Sequence, residues 1–520
     1  MASGRVNFEM SPVIFLMLNI QRKRVSISAK KEAGMTHNLI HQKWIPVKRK
    51  NGEHEKIAPW QLTEDWNSNP VAALDAPRPD FNGSLIQFLI GLGQTVLAPK
   101  DIDRWFDLLS SPPKPEELKK DFTSVDFAFN VDGDGRCFMQ EHDLEAKDPK
   151  NISLLLIDSP AGNTLKENKD HFIKRGGCSE LCYACAATAL FTLQTNAPSG
   201  GVGHRTSLRG GGPLTTLLCS ETLWETVWLN ILDRSSFETE FNSKADNEPA
   251  NAFPWLLPKR TSEPKTGCDT TPEDVHPLQM YWGMPRRVKL EFNDTSRGTC
   301  ALCGEDKVPL VSQYITKNYG TNFTGAWKHP LSPHGKDDKG FPLPRHPQPG
   351  GITFRHWLGL VQPDRDSKNR VEPAFVVHRY SVGLARDIPD FRLWAFGYDM
   401  DNMKARCWYE STMPIIRVEK RLQTQYAEIV HGYIKAADII GRNLRMSLKK
   451  AWFSNPRDAK GDTSYIETAF WQDNEGTFYN SINDLKFVLQ KNRSTQEIAK
   501  RWHDVLLKEA LKLFDEYAVT

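Results

Sequence analysis

Between Gly83 and Ala98 the apolar residues Leu85, Phe88, Leu89, Leu92 and Val96 recur at helical spacing, which predicts a helix with one buried face. Ahead of it, Leu39 to Val47 is apolar and β-prone, and the polar run after it carries Asn51-Gly52, so the fold is expected to open with a strand and hairpin. DIDRWFDLLSSPP starts on acid and stops at prolines, as a helix does. Further on, PLTTLLC ends as a strand and leads into a helix burying Leu223, Val227 and Ile231, with Trp224 and Trp228 beside them. Val288, Leu290 and Phe292 alternate as in a half-buried strand, and AFVVHRYSVGL and FRLWAFGYDM read as strands, the second closing in a polar hairpin tip at Asp399 to Lys404.

From Pro414 the period changes. Leu422, Tyr426, Ile429, Tyr433, Ala437, Ile440, Leu444 and Leu448 keep helical spacing, with a break expected near Gly432 or Gly441. Another helical pattern spans Ser464 to Ile482, and the last opens on a capping box, Ser494 with Glu497, before burying Ile498, Trp502, Val505, Leu506 and Leu513. The fold class is therefore α+β: a mixed α/β domain over residues 35–405, then an antiparallel four-helix bundle over 406–520. Two stretches lack any period and read as loops, a polar basic one from Asp158 to Gly177 and a Pro- and Gly-rich one from His329 to Gly351. Residues 1–34 are expected to be an extension, disordered or not native. Their apolar run is too short to span a membrane, and Arg22, Lys23 and Arg24 follow it rather than precede it as in a signal peptide.

Composition adds constraints. The 520 residues are 39% hydrophobic and 25% charged, ordinary for a soluble globular chain. Net charge is only +3, so a nucleic-acid partner would require basic residues gathered in patches. Of nine cysteines, four form two Cys-x-x-Cys knuckles, Cys182 with Cys185 and Cys300 with Cys303. In a large chain read as cytoplasmic, that pattern favours metal over disulfides, and two knuckles supply the four thiolates of a closed, zinc-ribbon-like structural zinc site. The other reading is two unrelated pairs of reduced thiols; Cys178 is close in sequence but is not needed as a ligand.

A glycine-rich loop, Ser199, Gly200, Gly201, Val202 and Gly203, follows the first knuckle and its apolar helix, flanked by His204, Arg205 and Arg209. Little side-chain bulk beside basic residues suits close approach of backbone to a polyanion, although on spacing alone a tight connection after a helix explains the glycines slightly better. Asp132 and Asp134 alternate like calcium ligands, but Cys137 stands where an EF-hand needs glycine, so a plain turn is expected there. Phosphate loops, zinc-protease helices, nucleophile elbows and zinc-deaminase motifs are absent, consistent with a protein that is not an enzyme.

The order WIPV, CFMQ, Cys-x-x-Cys with an apolar helix, NAP before a glycine loop, LRGGGPLTT, a second Cys-x-x-Cys, W-x-H-P-x-S-P and terminal helices resembles the CasA family, the large subunit of the type I-E CRISPR Cascade surveillance complex. The resemblance covers Met35 to Thr520 and implies a non-catalytic subunit in antiviral defence. Such a subunit recognises the protospacer-adjacent motif (PAM) of double-stranded DNA from the minor groove, promotes opening and helps recruit a helicase-nuclease. On this chain it maps the reading loop to Ser199–Gly203, the minor-groove lysine to Lys317, one position off register, and the strand-separating wedge to Asn402 in place of glutamine. It maps the loop near the guide RNA and neighbouring Cascade subunits to Leu156, Ile157, Asp158, Ser159, Pro160, Ala161 and Gly162. The residues alone also allow a stand-alone zinc-ribbon nucleic-acid-binding protein, or a metal-dependent nuclease using Asp132 and Asp134.

Overall fold

The structure, a computed structural model, describes residues 36–145, 148–160, 166, 176–241, 248–364, 370–382, 390–401, 404–455 and 463–518. The expected extension at 1–34 and most of the basic stretch after Pro160 lie outside these. The hairpin at the start forms as read: β1 (Ile45–Arg49) pairs with β2 (His54–Ile57) across a turn in which Gly52 has φ +92°, and β3 (Val71–Leu74) adds to the other edge of β1.

Helix α1 (Pro79–Val96) runs through the middle of the core, buried on almost every side. Its Phe88 ring meets Trp44, Phe129, Phe138, Phe191 and Trp282 edge-on at 5.3 to 5.9 Å. Such T-shaped contacts set the electropositive ring edge against the electronegative face, which fixes orientation as well as burying area. Helix α2 (Ile102–Ser110) is capped by the Asp101 side chain accepting from the Arg104 amide. Its Trp105 donates to the Ile231 carbonyl at 2.8 Å, while Trp228, from the helix expected near Leu223, donates to the Trp105 carbonyl at 2.9 Å. Leu223, Trp224, Val227, Trp228 and Ile231 are all buried.

Three further elements carry the site. Strand β4 (Leu181–Cys182) leads straight into α3 (Tyr183–Asn196). Strands β5 (Arg287–Gly298) and β6 (Val308–Lys317) form a long antiparallel pair, and β4 joins the opposite edge of β6 through Leu181 against Val311 and Cys182 against Leu310. A separate sheet pairs β7 (Arg392–Asp401) with β8 (Lys404–Pro414), closing at Asp401 opposite Lys404, and with Thr215–Cys219 on its other edge.

Three sequence expectations are corrected. AFVVHRYSVGL is not a strand: Phe375–Val382 is helical, because Val376, Val377 and Tyr380 reach the core at i, i+1 and i+4, and that packing overrides the β-propensity of paired valines. The chain also does not break at Gly432 or Gly441. Helix α4 (Gln423–Trp452) is continuous, and Gly441 lies against Phe470, whose ring stands 3.1 Å from where a Cβ would be. Glycine there lets the next helix approach. Helices α5 (Ser464–Gln490) and α6 (Gln496–Ala518) follow, so 406–520 holds three long helices among the described residues rather than four. Aromatic side chains from upstream fill their core. The Phe354 ring stacks on Phe478 at 4.4 Å and meets Trp471 at 4.8 Å, and Trp357 lies against Tyr426 at 6.2 Å.

Candidate metal centre and nucleic-acid interface

Distant segments bring the two knuckles together. Pairing of β4 with β6 carries Cys182 to the base of the turn between β5 and β6, where Cys300 and Cys303 sit, and Gly304, at φ +72°, closes that turn by donating to the Cys300 carbonyl at 3.0 Å. Ligand atoms of Cys182, Cys185, Cys300 and Cys303 all lie within 4.8 Å of one another, and Cys182 and Cys303 sulfurs are 3.8 Å apart. A tetrahedral zinc with Zn–S of about 2.3 Å requires sulfur separations of about 3.8 Å, so the donor set fits this ion.

The surroundings also suit thiolates. The Cys182 amide donates to Cys300 Sγ at 3.3 Å and the Cys185 amide to Cys182 Sγ at 3.4 Å, the latter from the first turn of α3. Hydrogen bonds shared among the four sulfurs hold Cys300 far below the usual thiol range and bring Cys303 down to about 6, while they and burial push Cys182 and Cys185 well above it, so without a metal two of the four keep their protons. Lys56 stands next to the cluster, ion-paired with Glu305; against the cost of burial, that pair and the sulfurs of Cys303 and Cys182 keep its ammonium charged. Four cysteines leave no position for substrate or water, so the centre is built for structure.

Both α3 and β6 start at this cluster. They end together too. After Asn196 the chain enters Ser199–Gly203, and β6 ends at Lys317, which is exposed. There the two ends are stitched: Tyr319 donates from its amide to the Gly203 carbonyl at 2.7 Å, and Asn318 Nδ2 to the Val202 carbonyl at 2.7 Å. Gly203 has φ +77°, and a Cβ there would stand 2.9 Å from Asn318 and Tyr319 side-chain atoms; one on Gly200 would stand 2.4 Å from His204 Cβ. Gly201 has open space around it, and Val202 is 78% exposed. The loop is thus a backbone ridge, bare at the crest and fastened at its base.

The flanking cations behave differently from their sequence reading. Arg209 does not face a polyanion: it is buried, donating to Thr215 at 3.0 Å, Ser332 at 3.1 Å and Gln87, and burial lowers its pKa to about 9. Arg205 is held by Ser262 at 2.7 Å. His204 Nδ1 lies 2.6 Å from Arg286 Nη1, and that guanidinium also donates to the Pro198 carbonyl. Asn318, Tyr319 and Arg286 are the functional neighbours that spacing did not reveal, since each joins the loop from far along the chain.

Asn402 lies outside the described residues, as do Ala161 and Gly162. Of the same expected partner loop, Leu156 and Ile157 are buried, Ser159 donates to the Ser153 carbonyl, and Asp158 pairs at 3.0 Å with Arg78, which also grips the buried Asp80. Asp132 and Asp134 fall on a surface bend far from the cysteine cluster in sequence, and the only grouping of candidate metal ligands among the described residues is the four-cysteine one. No described helix is long and apolar enough to cross a membrane.

Residues 38–513 match the family model for CRISPR-associated protein Cse1. Similar solved structures include Thermus thermophilus CasA (Cse1), at 18% identity with a TM-score of 0.66 over 93% of this chain and 94% of that one. Thermobifida fusca Cse1 matches at 18% identity and TM-score 0.66 over 92% and 90%. A chain of a CRISPR RNA-guided surveillance complex matches at 15% identity and TM-score 0.59 over 94% and 99%. At these identities the likeness is one of fold.

Proposed function

The chain belongs to the Cse1 (CasA) family of CRISPR-associated proteins, and from that premise we propose that it is the non-catalytic large subunit of a type I-E Cascade, reading the motif beside a DNA target. The observation that carries the reading is the exposed ridge Ser199–Gly203, fastened by Asn318 and Tyr319 next to Lys317. Backbone groups and one lysine can reach the minor groove, whose pattern separates A·T from G·C and little else, so several related motifs should be accepted. Duplex opening costs roughly 1.4 kcal/mol per base-pair step and is offset by guide pairing, so the subunit has only to nucleate it, with the hairpin tip around Asn402 as the wedge.

In this reading Cys182, Cys185, Cys300 and Cys303 hold a structural zinc that keeps β4 and α3 on the β5–β6 turn. Asp158 to Gly162 meet the guide RNA and neighbouring subunits, and a helicase-nuclease is recruited after target binding in the cytoplasm. The test is reconstitution with a guide-loaded complex and a library of flanking trinucleotides. A small related set of motifs should be enriched, and inserting side chains at Gly200 and Gly201 should abolish that selection. Equal selection by the isolated chain would favour a stand-alone nucleic-acid-binding protein instead.

A further inference from the structure

Behind the ridge lies a cleft of about 940 Å³ to which no role has been given. It shares walls with the ridge: Arg286, which holds Pro198 and His204, lines it, as do Gly320 and Thr321 just past Tyr319. Five arginine and lysine side chains line it against four carboxylates, those of Glu141, Asp143, Glu273 and Asp274. Lys259 and Arg287 are matched by Glu141, and Arg260 by Asp274. Arg136 and Arg286 have no carboxylate partner among the described residues. Arg136 is exposed and donates only to the carbonyls of Leu257 at 2.7 Å and Trp255 at 3.4 Å, and Arg286 Nε is buried with no hydrogen-bond partner. Arg286 already spends its terminal nitrogens on His204 and Pro198 and its Nε is sealed from solvent, so the guanidinium left to take an anionic acceptor from outside is that of Arg136. Phe323, Met284 and Pro258 give the same cleft apolar surface.

An anionic group joined to a flat apolar one is the chemistry that fits, and we infer that the cleft takes a nucleotide unit of single-stranded DNA. Its phosphate pairs with Arg136, and its base lies against Phe323. Single-strand sites combine a cationic track with stacking platforms in this way. A strand, rather than a free nucleotide, is favoured because the cleft adjoins the ridge, where an opened duplex would release one. Only this last point rests on the function proposed above.

The experiment uses the full chain and a short fluorescent oligothymidylate carrying 5-iodouracil, titrated at several salt concentrations. The expected results are photo-crosslinks within residues 253–261 or 320–323, at least a tenfold loss of affinity for Arg136→Glu, a salt slope reduced by about one, and near-normal binding for Arg136→Lys. Unchanged affinity and slope in Arg136→Glu, or crosslinks confined elsewhere, would overturn the inference. Thymidine monophosphate binding as tightly as the oligomer would overturn the strand in favour of a nucleotide pocket. If the Gly200 and Gly201 variant selects motifs normally while Arg136→Glu still loses the oligomer, the ridge reading falls and the cleft stands.

Discussion

The two ends of α3 and β6 make opposite use of the same pair of elements. At the start, four sulfurs within 4.8 Å of one another are buried or half-buried and offered backbone donors. At the finish, a chain segment with hardly any side chains stands in solvent on two hydrogen bonds and a positive-φ glycine. One end carries a donor set that a single metal ion could close. The other is open because everything that would cover it has been left off. The fourteen residues of α3 set them about 20 Å apart, so the clasp can fix where the ridge stands without touching its crest.

The comparison breaks most severely at the clasp. Cys182→Ser or Cys300→Ser should take zinc content from one per chain to near zero and remove a contribution on the order of 10 kcal/mol, seen as a large fall in Tm. Unaltered metal content would dissolve the idea of a closed end. Next comes the ridge. Gly203→Ala forces a side chain into the left-handed region, at about 1–2 kcal/mol, and against Tyr319, so it should lower both Tm and motif binding. Gly201→Ala meets nothing within 4 Å and should leave Tm unchanged or slightly raised while reducing motif-dependent binding about tenfold. Normal binding by Gly201→Ala would make the glycines a mere connection.

Lys317→Ala should cost about 1.4 kcal/mol in motif-dependent binding and leave assembly intact. Equal loss on DNA without the motif would reduce Lys317 to a phosphate contact. The smallest effect expected is one of pH. Burial, then the nearby Arg286, lowers the His204 pKa, so the unfolded chain binds this proton more readily. The His204–Arg286 contact therefore contributes fully above about pH 6.5 and is lost as the pH falls below it. Motif binding should weaken on acidification across that range, and His204→Gln should flatten the profile.

Much of this was legible from the chain alone where local period and chemistry agree. The Asn51-Gly52 turn, the buried face around Phe88, the Val288–Leu290 alternation and the paired knuckles each combine pattern with residue type. Phe375–Val382 was misread because a strand and a short helix with one buried face can share the same apolar run, and only the neighbours decide. Arg209 was misread because a cation beside a glycine loop looks solvated until Gln87, Thr215 and Ser332 converge on it from three other segments. Asn318 and Tyr319 gave no signal, since nothing in their spacing says which carbonyls, far back along the chain, they will find.

Phe354 has a practical bearing on how the molecule can be taken apart. Its ring fills the socket made by Trp471, Phe478 and Trp502, while its backbone belongs to the stretch before β7. A recombinant fragment begun at residue 406 would carry that socket empty, with an aromatic-lined hole open to water and prone to self-association. Grafts or truncations that respect the helices will therefore have to bring the 353–361 peptide along, as a separate strap or fused in front.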